Sequence, residues 1–150
     1  KGETSNFIDR LNISSDKLII GMIGSIDSHK GHKVIIEAVK FSNLLQEKAH
    51  VVFVGSGDME ILKSLNNLVE EFMLQHLITF TGFLEDDSLD IVSGFDILVM
   101  PTIDFEGFGY SMAEAMLVEV PVIASNVLIF AGAASNIVYG SPGTSESPGW

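Results

Sequence analysis

The sequence predicts a doubly wound α/β fold: a Rossmann-like, mostly parallel sheet of about five or six strands with helices on both faces. Short, continuous apolar runs are typical of parallel strands that are buried on both faces. Longer segments with apolar residues at helical spacing lie between these runs. Strand-like and helix-like segments therefore alternate, which is the pattern of β-loop-α units in a parallel sheet.

The strands are predicted from apolar runs that end in glycine, proline or polar residues. Pro121 suits the first position of the last strand, where its missing N–H does not interrupt the hydrogen-bond ladder. The predicted strands lie within Asp16–Ile26 and at His50–Val54, Leu77–Phe80, Phe95–Met100 and Pro121–Ser125.

Helical spacing predicts helices between the strands, notably over residues 32–47 and Met112–Val118. Asp58 is predicted to cap the helix that follows it, because an aspartate accepts hydrogen bonds from the first free N–H groups. The acidic run Glu85–Asp87 is predicted to begin a short helix, since acids favour a first turn. The apolar faces are Val34, Ile35, Ala38, Phe41, Leu44 and Leu45 in the first helix, Ile61, Leu62, Leu65, Leu68, Val69, Phe72 and Met73 in the second, and Leu89, Ile91 and Val92 in the third.

Composition places the chain among globular domains. At 150 residues and 47% apolar content it is long enough to bury one core. Its apolar runs are far shorter than the ~20 residues of a membrane helix, and its N-terminal stretch has no apolar signal region. The sequence has no cysteine, which excludes disulfides and thiolate sites and fits a reducing cytoplasm. We therefore expect a cytoplasmic location and no membrane contact.

The charge balance bears on binding partners. With 8 basic and 20 acidic residues the net charge is -12, and no basic patch for nucleic acid is visible. An anionic ligand would need a local positive site, for which Lys30 and a helix N-terminus are the candidates.

The stretch Pro101–Met116, P-T-I-D-F-E-G-F-G-Y-S-M-A-E-A-M, concentrates the polar chemistry. It joins a predicted strand to a predicted helix through a loop with two glycines, so backbone N–H groups can approach an anion. Glu106 lies in the loop and Glu114 in the second turn of the helix, on the order of 10 Å apart by helical rise. That separation suits two acceptors that hold different hydroxyl groups of one extended ligand, such as a nucleotide-sugar.

The segment E-G-F-G-Y-S-M-A-E-A-M, followed by P-V-I-A-S, resembles the Glu-x7-Glu signature of retaining glycosyltransferases of the GT4 type, which have the GT-B architecture. The resemblance continues upstream and covers roughly residues 17–126. The upstream matches are Lys30-Gly31, Val54–Gly57, Thr81–Phe83 and Phe95–Pro101.

The resemblance implies transfer of a sugar from a nucleotide-diphosphate sugar, with Glu106 and Lys30 as the catalytic residues. Glu106 would hold sugar hydroxyls and Glu114 the ribose, while Lys30 and the amides near the glycine-rich loop would stabilise the leaving diphosphate. No metal or other cofactor is expected. The implied donor-binding residues are Gly24, Ser25, Lys30, Gly55, Gly57, Gly82, Glu106, Gly107, Phe108, Gly109, Tyr110, Ser111 and Glu114.

The residues give little support to other kinds of site. His29 and His32 flank Lys30, but no third ligand has a helpful spacing for a metal. The run Glu85–Asp87 is more typical of a solvated helix cap than of a metal site. The segment V-G-S-G lacks the third glycine of a dinucleotide fingerprint and has Glu60 in its place.

The resemblance also implies the domain organisation. Residues 1–16 are expected to be a lead-in from a missing preceding domain, which would bind the acceptor. Residues 17–140 would be the nucleotide-sugar-binding domain, truncated at its C-terminal end, and 141–150 a linker-like or artificial tail. We predict that such a half-enzyme does not turn over alone.

Two departures from the family pattern leave alternatives open. Ser25 stands where the family often has an arginine after the glycine of the first strand, and the pattern weakens after Asn126. One alternative is another GT-B enzyme, such as a nucleotide-sugar 2-epimerase or a relative of phosphorylases. The other is a non-catalytic nucleotide-binding or interaction domain.

Overall fold

The computed structural model of the chain describes residues 6–103, 110–125 and 137–140. The strands are β1 (Leu18–Ile23), β2 (Ala49–Val54), β3 (Ile78–Gly82), β4 (Ile97–Met100), β5 (Val122–Ser125) and β6 (Ile137–Gly140). The helices are α1 (Asn6–Arg10), α2 (His32–Phe41), α3 (Asn43–Lys48), α4 (Met59–Glu71), α5 (Ser88–Ser93) and α6 (Tyr110–Leu117).

One sheet contains the six strands in the order β3-β2-β1-β4-β5-β6, and every pairing between neighbours is parallel. The order runs outward in opposite directions from β1 and β4, so the winding reverses between these two central strands. The predicted doubly wound α/β fold is therefore confirmed. β6 was not predicted from the sequence.

Two apolar cores lie on opposite faces of the sheet, and β2 shows how they are separated. Val51 and Phe53 belong to one core, while Val52 and Val54 belong to the other, because successive strand residues point to opposite faces. The first core packs against α2 and α4, and the second packs against α1, α5 and α6. Burial on both faces explains the continuous apolar runs of the strands.

The prediction of one helix over residues 32–47 was wrong, because the chain breaks at Ser42. The Ser42 hydroxyl accepts a hydrogen bond from the Leu45 N–H and caps α3. Phe41 and Leu44, both predicted to be buried, are 82% and 66% exposed. The Gln46 side chain donates to two carbonyls at the end of α2, which stabilises the break.

The starts of α4 and α5 agree with the sequence, although two residues of their predicted buried faces were assigned incorrectly. Asp58 caps α4 by accepting from the N–H groups of two residues in its first turn, and Asp87 caps α5 in the same way with one. Ile91 and Val92 are buried as predicted, but Leu89 faces solvent. Met73 lies beyond the end of α4 with a positive φ and is also exposed.

The segment before β1 packs on this domain. Phe7 is 1% exposed, and its ring meets the Phe95 ring edge-on, with centroids 6.1 Å apart. The Phe95 ring in turn lies against Gly21, where a Cβ atom would be 2.1 Å from it. Arg10 pairs with Asp86 at 2.8 Å. The predicted domain boundary at 16/17 stays a prediction, and the predicted tail lies outside the described residues.

Candidate functional site

Three strands end side by side at one edge of the sheet, and backbone hydrogen bonds join their exits. The Gly24 N–H donates to the Val54 carbonyl, and the Gly55 N–H donates to the Gly82 carbonyl, each at 3.0 Å. The structure thus brings Gly24, Gly55 and Gly82 together at the carboxyl ends of β1, β2 and β3. Ligands of doubly wound sheets bind outside this edge.

Of the six glycines predicted to bind a ligand, the structure describes Gly24, Gly55, Gly57 and Gly82, and these four have two different roles. A Cβ at Gly55 would lie 1.9 Å from the Gly24 carbonyl oxygen, and one at Gly57 would lie 2.1 Å from the Ile26 carbonyl oxygen. These two positions are therefore glycine because another backbone segment occupies the space. Cβ atoms at Gly24 and Gly82 would meet no atom of the described residues within 4 Å, so these two positions are open toward that part of the chain.

The loop after β1 is organised around a carboxylate. Asp27 Oδ1 accepts from the N–H groups of His29 at 2.8 Å and Lys30 at 3.2 Å, and Asp27 Oδ2 accepts from the Ser25 hydroxyl at 3.1 Å. Burial raises the pKa of this carboxyl, but the hydrogen bonds and the nearby lysine charge outweigh it and hold that pKa below its ordinary value. Asp27 is therefore ionised at neutral pH.

This first loop also contacts the exit of β4 across the point where the strand order reverses. The Ile103 N–H donates to the His29 carbonyl at 2.8 Å. Gly31 has a φ of 83°, and a Cβ there would lie 2.0 Å from the Pro101 carbonyl oxygen. A crevice at such a reversal is the usual ligand position in doubly wound sheets. Lys30 precedes the point of contact directly.

A hydrogen bond from β5 fixes the described part of the segment that follows β4. Thr102 is buried, and its carbonyl accepts from the Ser125 hydroxyl at 2.5 Å. The predicted site residues Glu106, Gly107, Phe108 and Gly109 follow this segment and lie outside the described residues. Their roles, and the distance between Glu106 and Glu114, stay predictions.

The remaining predicted site residues lie on α6, which begins at Tyr110 and not at Met112 as the sequence suggested. Met112 and Ala115 are buried against the sheet and orient the helix. Tyr110 is 72% exposed, whereas Ser111 and Glu114 are half-buried. The N-terminus of α6 follows the exit of β4, where its first N–H groups can receive an anion.

A buried histidine follows Gly31. His32 is 3% exposed, its ring centroid lies 5.0 Å from that of Phe53, and Nδ1 has no hydrogen-bond partner among the described residues. Burial lowers the pKa of His32 to about 4; the Asp27 charge raises this pKa and the Lys30 charge lowers it, both by smaller amounts. The ring is therefore neutral at physiological pH. The residues described include no group of three metal-binding side chains.

Sequence reasoning missed Asp27, Gly31 and His32 as parts of this site. Asp27 and its two acceptor bonds follow the spacing of an aspartate-capped turn, so a search for such turns would have found it. Gly31 contacts Pro101, and His32 contacts Phe53. Both partners are distant in sequence, so no local sequence pattern predicts these contacts.

Comparisons with known proteins agree with the fold and the ordered motifs. The family model described as "Glycosyl transferases group 1" matches residues 3–141. An uncharacterized glycosyltransferase of Methanocaldococcus jannaschii is 31% identical over 126 residues, which are 83% of this chain and 31% of that protein. The chain thus spans about a third of the length of this relative.

Solved structures show the same fold. The C-terminal domain of a glycosyl transferase group 1 family protein from Francisella tularensis superposes with a TM-score of 0.78 at 25% identity, covering 96% of this chain and 77% of that one. HepE of Anabaena, in complex with UDP and glucose, superposes with a TM-score of 0.78 at 20% identity, covering 93% of this chain and 38% of that one. The described helices include none that is long and apolar enough to cross a membrane.

Proposed function

Because this chain belongs to the group 1 glycosyltransferase family, we propose that it is the donor-binding domain of a retaining glycosyltransferase. The whole enzyme would transfer a sugar from a nucleotide-diphosphate sugar to an acceptor. The observation that supports the proposal is the contact between the exits of β1 and β4, because Lys30 adjoins this contact and ligands of doubly wound sheets bind where the strand order reverses. A ligand there would lie next to Gly24, where a Cβ atom would meet no described residue within 4 Å.

The proposed chemistry stabilises a leaving group. As the bond between the sugar and the diphosphate breaks, negative charge grows on the diphosphate oxygens. Lys30 and the backbone amides near Gly107–Ser111 would stabilise this charge more strongly in the transition state than in the bound donor. These groups supply the positive charge, so the proposal requires no metal ion.

The two glutamates would orient the donor. Glu106 would accept hydrogen bonds from sugar hydroxyls, and Glu114 would accept them from the ribose. Glu114 is suited to this role because it is half-buried on a helix that the buried Met112 and Ala115 hold in place. A fixed acceptor selects one orientation of the ligand and so limits the entropy lost on reaching the reactive geometry.

The proposal also concerns what the chain does by itself. In GT-B enzymes the acceptor binds to a second domain, and this chain covers 31% of the length of the M. jannaschii relative. We therefore expect the isolated chain to bind donor weakly and to transfer no sugar. Sugar transfer by the 150 residues alone would contradict this part of the proposal.

We assign the whole enzyme to the cytoplasm.

Calorimetric titration with UDP, GDP and ADP, and with their sugar conjugates, tests the proposal. We expect saturable binding of one nucleotide, weakened about tenfold by Lys30→Ala or Glu114→Ala, as for the loss of one charged hydrogen bond. Lys48→Ala is a matched control, since Lys48 is exposed at the end of α3 and has the same charge. If none of the nucleotides binds at millimolar concentration, or if all three substitutions act equally, the proposal is wrong.

One observation favours a second candidate, a nucleotide-binding domain without catalytic function. Ser25 places a hydroxyl where the family often has a cation, and Asp27 holds that hydroxyl. Binding to a domain of this kind would not distinguish a nucleotide from its sugar conjugate. Tighter binding of one conjugate than of the free nucleotide, lost in Glu106→Ala, would instead indicate a donor site.

A further inference from the structure

Two strand exits share a sequence pattern and a hydrogen-bond pattern. The exit of β1 reads G-S-I-D over residues 24–27, and the exit of β2 reads G-S-G-D over residues 55–58. Asp27 accepts from the N–H groups two and three residues later, and Asp58 does the same. Both leading glycines have positive φ, 142° at Gly24 and 136° at Gly55.

The two aspartates order different structures. Asp58 is followed at once by α4, so its carboxylate caps a helix of 13 residues. The turn that Asp27 orders ends at Lys30, and Gly31 then separates it from α2, which has no side-chain cap. Asp27 is thus used to fix one turn, and the last residue of that turn is the lysine of the proposed diphosphate site.

We propose that Asp27 is a positioning residue that sets the Lys30 backbone for diphosphate binding; this inference rests on the proposed function. The carboxylate has two opposing effects on an anionic ligand. Its hydrogen bond to the Lys30 N–H fixes the Lys30 backbone and therefore the position from which the lysine side chain extends. Its negative charge, close to the lysine, repels the ligand and competes for the ammonium group.

These effects separate in two substitutions. Asparagine keeps an oxygen that can accept from both amides and removes the charge, while alanine removes both. The chain has a net charge of -12, so removal of a carboxylate beside the site reduces a repulsion that the rest of the protein already exerts. Asp27→Asn should therefore bind nucleotide diphosphates more tightly than the wild type, and Asp27→Ala less tightly.

The test titrates UDP, GDP and ADP into wild type, Asp27→Asn and Asp27→Ala by calorimetry at low salt. We expect Asp27→Asn to raise the affinity of the nucleotide that binds by about threefold, an effect that salt screens, and Asp27→Ala to lower it by about tenfold. Asp58→Asn and Asp58→Ala are matched controls with the same change of charge and the same pair of backbone N–H groups bonded to the carboxylate. We expect their affinities to stay within about twofold of wild type.

Amide hydrogen exchange gives a second readout. The N–H groups of His29 and Lys30 should exchange slowly in wild type and Asp27→Asn and quickly in Asp27→Ala, while those of the α4 core keep their protection. A role only in the stability of the fold would reduce the protection of the α4 core in Asp27→Ala and would give Asp27→Asn no gain in affinity. Absence of that gain, or wild-type affinity in Asp27→Ala, would overturn the inference.

The outcomes also distinguish this inference from the proposed function. If wild type binds nucleotide and Lys30→Ala weakens binding, but Asp27→Ala does not, only the role of Asp27 is wrong. If wild type binds none of the three nucleotides, both statements are overturned.

Discussion

The loops after β1 and β2 begin with the same sequence pattern but form hydrogen bonds with different parts of the sheet. The second loop, after β2, bonds to the exits of β1 and β3, which belong to the same half of the sheet. The first loop, after β1, bonds to the exit of β4 in the other half through the Ile103 N–H and the His29 carbonyl. One loop with the G-S-x-D start therefore makes its contacts within one half of the sheet, while the other connects the two halves.

The difference shows how one local motif acquires two uses. Asp58 and its neighbours satisfy the free amides of a helix, a role complete within a few residues. The corresponding bonds of Asp27 leave Lys30 and Gly31 at the junction of the halves, where the contact with Pro101 determines their position. The following substitutions test this contrast.

The largest effect is expected from Gly31→Ala. Its Cβ would lie 2.0 Å from the Pro101 carbonyl oxygen, and its φ of 83° disfavours any side chain. We expect a loss of about 3 kcal/mol in the free energy of unfolding, together with loss of nucleotide binding. Urea denaturation and calorimetry measure the two effects. Gly24→Ala is the control: it has a positive φ but open space, so it should cost about 1 kcal/mol. Equal losses for the two would contradict a tight junction.

The next effect concerns pH and His32. The pKa of His32 is about 4 in the folded state, against 6.5 for a free histidine. Between pH 4 and pH 6.5 the unfolded chain therefore binds a proton at this residue that the folded chain does not bind. Stability should therefore fall as the pH falls from about 6.5 to about 4, by at most about 3 kcal/mol for this group. Denaturation curves of wild type and His32→Leu measure it.

His50 is the internal comparison for that experiment. Its pKa is also lowered, mainly by burial, and it retains a hydrogen bond between Nε2 and the Thr79 hydroxyl at 2.8 Å. His32→Leu should therefore remove part of the acid sensitivity and leave the rest. An unchanged pH dependence in this variant would contradict a neutral, buried ring at position 32.

A smaller effect is expected at the second loop. Asp58→Ala removes the cap of α4 and should reduce the free energy of unfolding by about 1 kcal/mol, with little change for Asp58→Asn. Thermal unfolding measures the difference. If Asp58→Ala altered nucleotide affinity as strongly as stability, the two loops would not have the separate uses described above.

The smallest effect is expected from Ser25→Arg. The substitution introduces the cation that the family often has there, next to the proposed diphosphate site. Asp27, which now accepts from the Ser25 hydroxyl, would retain part of the new charge. We expect nucleotide affinity to rise by about twofold to threefold at low salt, measured by calorimetry, and the gain to fall as salt increases. A decrease would place the ligand away from this loop.

The sequence was informative where structure is decided locally. The continuous apolar run around Val52 predicts a strand buried on both faces, and Asp58, four residues after the end of that strand, predicts a helix start. The reversal of winding also follows, because alternating strands and helices allow few arrangements. These features depend on neighbours in the chain, so they can be read without coordinates.

The sequence was uninformative where a distant contact decides. Residues 32–47 have one helical period, but the Ser42 cap and the Gln46 side chain divide them into two helices. His32 is polar and adjacent to a lysine, which suggests exposure, whereas the fold buries it against Phe53. Gly31 gives no sign that the Pro101 carbonyl occupies the space beside it.

The packing of α1 determines where this domain can pivot. A hinge needs residues whose φ and ψ can change without loss of buried contacts. The Phe7 ring packs against the Phe95 ring, and Arg10 pairs with Asp86, so α1 is fixed to the body that contains the sheet. A rotation of the sheet about residues 11–17 would break both contacts, and the segment between α1 and β1 is therefore not a hinge.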